Sequence, residues 1–246
     1  MIKLANPRNL KNIRQVKKIN FSNPISIGGS NRGSVFVGRI HFKDNTKSRA
    51  AIKVFHSKLT KEKAKQYQKL IDDLIKAGVP LPKTGMALVP KGTMIGDHKI
   101  ATREWVQVSQ LFGATKKGSK LVWKSHLELR TMQEKEEAAK IFGKVARLGY
   151  NPTTDFIEPF RYKQGVVPMD LDLLVERHKE PPQQKMTTLS TTIRRISPTK
   201  EEFRRLSTIA LKQLKLEQRK LAREKFQERI KNWEKEKYIS KSVKLN

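Results

Sequence analysis

Gly28-Gly29-Ser30-Asn31-Arg32-Gly33 packs three glycines into six residues between two apolar stretches. Glycine lets the backbone come close to a ligand, and the N–H groups of such a segment are donors for phosphate oxygens. The same segment also suits a plain hairpin turn. Twenty residues after Gly33, Lys53 interrupts the apolar run Ala50-Ala51-Ile52-Lys53-Val54-Phe55. A lysine on a rigid strand supplies a point charge for the same oxygens.

Other chemistries find no support in the sequence. Cysteine is absent, which excludes disulfides, cysteine nucleophiles and cysteine-ligated zinc. The five histidines, His41, His56, His98, His126 and His178, lack metal-ligand spacing with one another or with carboxylates. No G-x-S-x-G, H-E-x-x-H or Walker A pattern occurs. No apolar stretch reaches 18 residues, so no transmembrane helix is expected. The first twenty residues have no apolar region of the secretory kind, and a cytoplasmic location is expected.

The elements that must position these groups are legible from periodicity. Ile25-Ser26-Ile27 reads as a short strand, residues 28–33 as its turn, Ser34 to Ile40 as a second strand and Arg49 to Phe55 as a third. Residues 60–77 read as a helix. Thr60 caps it, Ala64, Tyr67, Leu70, Ile71, Leu74 and Ile75 recur at helical spacing, and Gly78 and Pro80 stop it. Residues 86–90 and 99–108 read as two more strands, with Gly92 and Gly96 in the turn between them. Residues 132–148 read as a second helix, and 165–169 as a buried strand. The proline-bearing stretch 181–198 reads as a linker. Residues 199–237, free of Gly and Pro, read as one long helix.

The order strand, glycine segment, strand, turn, lysine strand, helix resembles the N-terminal lobe of the protein-kinase superfamily. That family carries G-x-G-x-x-G-x-V, followed by A-x-K on the third strand. Gly28, Gly33 and Val35 match, and so does Ala51-Ile52-Lys53; Ser30 stands at the second glycine. The resemblance implies an α+β, protein-kinase-like two-lobe fold. It would have an antiparallel β N-lobe with a helix, a reduced helical C-lobe and a long C-terminal helix. It implies ATP and Mg²⁺ as ligands. Gly28, Gly29, Ser30 and Gly33 would line the phosphates, Val35 would cover the adenine and Lys53 would hold the phosphates. An acid on the helix would hold Lys53, and Asp72 is the choice over Asp73 and Glu62. The family uses glutamate at that place. Glu104 and Val106 would lie at the adenine edge. Asp170, after the buried strand, would ligate Mg²⁺ with help from Asp172, as a hard cation prefers. Asp155 would be the catalytic base. The family's H-R-D-x-x-x-x-N loop lacks its His-Arg pair here, and Phe160 stands where asparagine is expected. Nucleotide binding without transfer, as in a pseudokinase, is therefore the second reading. The resemblance spans residues 21–178 and is weaker in the second half.

Charge points to a further partner. The chain of 246 residues holds 53 Lys and Arg against 23 Asp and Glu, a net +30. Such an excess attracts polyanions, and nucleic acid or a ribosomal surface is the expected partner of the basic termini. Hydrophobic residues make up only 37%, so part of the chain is expected outside a packed core. The expected organisation is a basic arm at 1–20, a kinase-like N-lobe at 21–106, a reduced C-lobe at 107–180, a linker at 181–198 and a basic helical tail at 199–246. Two non-enzymatic readings remain beside the kinase-like one. They are a pseudokinase-like nucleic-acid or ribosome-binding protein and a basic structural protein of the virion type.

Overall fold

The computed structural model describes residues 16–20, 26–30, 32–42, 47–81, 84–95, 98–100, 102–110, 114–117, 120–123, 129, 131–153, 157–158, 166–168, 171, 174–175 and 179–233. The fold is α+β. The chain divides into two compact units, Met1–Ile75 with Leu81–Ser125, and Lys76–Pro80 with His126–Asn246. The division after Ser125 falls later than the expected lobe boundary at 106.

In the first unit the strands are β1 Val16–Asn20, β2 Ser26–Ser30, β3 Gly33–Phe42, β4 Lys47–Phe55, β5 Thr84–Val89, β6 Met94–Ile95, β7 His98–Lys99, β8 Glu104–Gln110, β9 Ala114–Lys117 and β10 Lys120–Trp123. Helix α1, Lys61–Lys76, lies between β4 and β5 in sequence. Six strands form one antiparallel sheet in the order β1-β3-β4-β8-β5, with β2 also paired to β3. The lysine strand β4 is central in it. Val16–Asn20, expected within a basic arm, is a strand of this sheet.

Period-two alternation gives β4 its two faces. Ala50, Ile52 and Val54 join Phe36, Ala87, Val89, Ile100, Val106 and Val108 in an apolar core on one face. Ala51, Lys53 and Phe55 turn to the other face. There the Phe55 ring meets Tyr67 of α1, with centroids 5.4 Å apart. Helix α1 buries Ala64, Tyr67, Leu70, Ile71 and Leu74, the face that its sequence spacing predicts.

The second unit is built on helices α2 Met132–Arg147, α3 Pro182–Arg195, α4 Lys200–Gln213 and α5 Leu216–Lys231. A short antiparallel ladder joins β11 Ile157–Glu158 to β12 Val167–Pro168. Thr131 and Glu134 cap α2 reciprocally. The Thr131 hydroxyl accepts from the Glu134 N–H at 3.1 Å, and the Glu134 carboxylate accepts from the Thr131 N–H at 2.9 Å. Helices α2 and α4 run in the same direction. Lys135 pairs with Glu202 at 2.9 Å and Arg205 with Glu136 at 2.5 Å. Further along, Gly143 lets the two backbones approach. A Cβ there would stand 2.6 Å from the Ala210 carbonyl oxygen.

Two expectations need correction. The stretch 181–198 is not a linker, because most of it forms α3. Pro182 sits at the first helical positions, where a missing N–H costs nothing. The stretch 199–237 is not one helix. Leu214 and Lys215 are extended (ψ 157° and 161°) and separate α4 from α5. The Arg219 guanidinium holds the break by donating to the Leu214 carbonyl at 3.0 Å and to the Lys212 carbonyl at 3.3 Å. The reversal has a packing cause. Phe203 and Phe226 would lie about 35 Å apart on one straight helix. Their rings are 5.7 Å apart, and Trp233 lies 5.6 Å from Phe203. Such aromatic pairs each add about 0.5–1.5 kcal/mol beyond burial.

Gly143→Ala is expected to destabilise the protein. Alanine gains about 1 kcal/mol in helix propensity, but overpacking against a backbone carbonyl costs about 1–3 kcal/mol. A lowered urea midpoint with an unchanged slope checks this; a raised midpoint would place the helix contact elsewhere.

Candidate functional site

The candidate site starts from β4. Lys53 is half-buried, and its ammonium lies 5.9 Å from the centroid of the Phe55 ring on the same face. In the ladder Lys53 stands opposite Val35 of β3 on one side and Gln107 of β8 on the other. The next row is Ala51, Ser109 and Thr84. Cross-strand partners share a face, so Val35, Ala51, Lys53, Gln107, Ser109 and Thr84 all belong to the face that bears α1.

Part of this row is polar and buried. The Thr84 hydroxyl donates to Ser109 Oγ at 3.0 Å, and Gln107 Nε2 donates to the same oxygen at 3.3 Å. Gln107 is 6% exposed, and its Oε1 has no hydrogen-bond partner. A buried acceptor left unmade costs about 1–3 kcal/mol. Periodicity alone does not reveal this row. Ser109 and Gln107 look like ordinary strand residues until β8 is paired with β4.

The glycine segment is less of a turn than expected. Gly28, Gly29 and Ser30 belong to β2 and lie opposite Val35, Ser34 and Gly33. The pairing runs up to Ser30 opposite Gly33, and a register shift falls between Ser26 and Gly28. Strand β2 pairs with β3 alone, so its outer N–H groups face away from the sheet. Gly33 is required by packing, since a Cβ there would stand 2.5 Å from the Val54 carbonyl oxygen. The His56 N–H donates to the Arg32 carbonyl at 3.0 Å and ties the hairpin tip to the end of β4.

Other expected residues fall elsewhere. Val106 sits in the apolar core on the opposite face, fully buried. Glu104 shares its parity and stands opposite Val89. Alternation along β8 therefore puts both on the face opposite Lys53. Asp72 is exposed on α1 and accepts from Gln68 Nε2 at 3.1 Å; Gln68 in turn accepts from the Met86 N–H. Asp155, Asp170 and Asp172 lie outside the described residues, as does Phe160.

The donors around Lys53 fit phosphate oxygens: an ammonium and a glycine hairpin with outward N–H groups. For Mg²⁺, no group of three His, Asp or Glu that would hold a metal occurs among the described residues. No protein-family model matches the chain, and no curated protein matches it significantly.

The second unit holds a buried polar cluster at the stretch expected to carry the catalytic loop. Asn151 is fully buried and donates through Nδ2 to the Glu180 carboxylate. The Pro152 carbonyl accepts from Thr192 Oγ1 of α3 at 3.0 Å. Asn151 Oδ1 and Thr153 Oγ1 are buried without partners. Nearby, burial lowers the pKa of Lys185 from 10.5, and the Glu180 carboxylate opposes that shift without cancelling it.

The Lys185 shift makes stability depend on pH. Between the lowered folded value and 10.5 the unfolded chain holds more protons, so stability rises with pH there. Below that window the protonated lysine carries a net cost, its burial offset in part by the Glu180 carboxylate. Lys185→Met is expected to stabilise the protein at neutral pH, with the advantage shrinking as pH nears 10.5. Urea titrations of both proteins across that range check this, and a gap that widens with pH contradicts it.

Proposed function

We propose that this chain is a kinase-like phosphotransferase that uses ATP with Mg²⁺, with Lys53 as its phosphate-binding cation. One observation carries the reading. Lys53 stands on the central strand, on the face that bears α1, between Val35 of the glycine hairpin and the buried Gln107. Lysine is seldom drawn into a sheet without a task for its charge. The element order supports the reading too: a glycine hairpin, the lysine strand, a helix, then β5 and β8. So does the antiparallel sheet, the expected form of such an N-lobe.

Lys53 would hold phosphate oxygens, and the N–H groups of β2 would approach the same oxygens because Gly28 and Gly29 leave the backbone bare. Val35 and Ala51 would give the nucleobase an apolar wall on the Lys53 face. ATP supplies the phosphoryl group, and Mg²⁺ screens its charge. The resemblance assigns the metal to Asp170 and Asp172 and the proton-accepting role to Asp155. The ladder of β11 with β12 supports grouping them, because it joins the stretch just after Asp155 to the stretch just before Asp170. Asp72, tied to Gln68, is not needed for this reading.

Nucleotide binding without transfer is the second reading. The missing His-Arg pair and Phe160 in the asparagine position favour it.

Saturating Mg²⁺–ATP, at about 100 times Kd, stabilises a binding protein by about 2.7 kcal/mol. For a chain of this size that is a rise in Tm of about 5–10 °C. Lys53→Ala is expected to abolish the rise while leaving the nucleotide-free Tm within a few degrees. Asp170→Asn is expected to remove the Mg²⁺-dependent part and any ATP turnover. A rise without turnover in the unaltered protein selects the second reading, and no rise with any nucleotide ends both.

A further inference from the structure

Helix α1 has two faces of different use. One packs Ala64, Tyr67, Leu70, Ile71 and Leu74 inward. The other presents Lys61, Lys65 and Lys69, all exposed, at i, i+4 and i+8. Successive lysines are thus one turn apart, about 6 Å along the helix axis. No carboxylate lies within ion-pair distance of any of the three among the described residues. Asp72 borders the ridge, and its carboxylate accepts from Gln68 rather than from a lysine.

The arrangement works against the helix that carries it. Like charges at i, i+4 cost about 0.2–0.5 kcal/mol for each pair, and the ridge holds two such pairs. Glu62 stands three residues from Lys65, and Asp72 and Asp73 stand three and four from Lys69, so acids flank the ridge, but none forms an ion pair with it among the described residues. A row of ammonium groups at regular spacing, none of them in an ion pair among the described residues, matches an extended polyanion outside the protein.

We propose that the Lys61–Lys65–Lys69 ridge of α1 binds the phosphodiester backbone of a nucleic acid. Two observations select this partner class. Interfacial binding to an anionic bilayer needs large apolar side chains beside the charges. On α1 those side chains all point inward, and the exposed large hydrophobics among the described residues, Met94 and Leu216, lie on other elements. Base readout would need exposed aromatic or amide groups in the row. Tyr67, the aromatic residue of α1, is buried, the Gln68 amide is taken up by Asp72 and the Met86 N–H, and the exposed Gln66 lies to one side of the ridge. The contact is therefore to phosphates and is independent of base sequence. It places a polyanion on an ordered helix, whereas sequence composition points to the termini. It does not rest on phosphotransfer at Lys53.

The test uses the full chain and a labelled single-stranded RNA of mixed sequence, titrated by fluorescence anisotropy between 50 and 200 mM salt. Each phosphate contact on a single strand contributes about 0.7 to the slope of log affinity against log salt. Replacing Lys61, Lys65 and Lys69 together by Gln is expected to flatten the slope by about 2. Over that salt range the unaltered protein then loses about 20-fold more affinity than the variant. Removing the repulsion leaves the variant's Tm equal or slightly raised, which shows that it folds. A control, Lys212→Gln with Lys220→Gln and Lys231→Gln, removes the same charge from exposed positions of α4 and α5. It is expected to leave the slope near that of the unaltered protein, as is Lys53→Ala. An unchanged slope in the α1 variant overturns the proposal. So does equal flattening by both triple variants, because binding would then follow net charge alone. So does loss of binding to phosphatidylserine vesicles, but not to RNA, in the α1 variant.

Discussion

The two-residue period of β4 is the constraint on which the candidate site depends. Because successive side chains leave a strand on opposite sides, burying Ala50, Ile52 and Val54 in the core obliges Ala51, Lys53 and Phe55 to face α1. A slip of one residue in the pairing with β8 would put Lys53 into that apolar core, where an ammonium ion has no partner. The register is therefore held by the cost of misplacing one charge as well as by apolar burial. The same parity decides which residues of β8 accompany Lys53. Gln107 and Ser109 do; Val106 and Glu104 do not.

The helical unit depends on a different constraint. Phe203 is fully buried, and it gathers Phe226 and Trp233 around it. No straight helix does this, so the chain must turn back at Leu214 and Lys215. Arg194, at the end of α3, completes the group by placing its guanidinium 3.6 Å from the centre of the Trp233 ring. The outer face of α5 contributes little to this core, since only Ala222 and Phe226 are buried along it. Polar contacts hold that helix too: Arg229 donates to the Ser190 and Thr191 hydroxyls of α3 and Gln218 to the Ala146 carbonyl at the end of α2, while α2 and α4 pack around Gly143.

Charge sits on this scaffold in two states. Lys135 is paired with Glu202 across α2 and α4, where burial makes an uncompensated charge expensive, and the exposed Arg205 is paired with Glu136 beside it. Lys61, Lys65 and Lys69 are exposed and solvated, where a like-charge row costs only tenths of a kilocalorie each. The proposed phosphate site at Lys53 and the proposed backbone-binding ridge on α1 thus use the same residue type in opposite environments. One lysine is half-buried and positioned by a sheet, and the others stand in water at helical spacing.

Local chemistry alone determined a good part of this protein. The period-two run around Lys53, the period-3.6 stripe of α1 and its Thr60 cap are all visible in the order of residues, because each is a contest settled within a few neighbours. Tertiary structure decided the rest. Pro181 and Pro182 look like a linker, yet Pro182 opens α3, because Met186, Leu189 and Ile193 find a core to bury in. Leu214 looks helical, yet it is extended, because aromatic residues far along the chain pull α5 back. Gln107 joins Lys53 only through strand pairing. Each of these outcomes depends on residues that meet in space at long sequence separation. No window of neighbouring residues contains the energy that selects them.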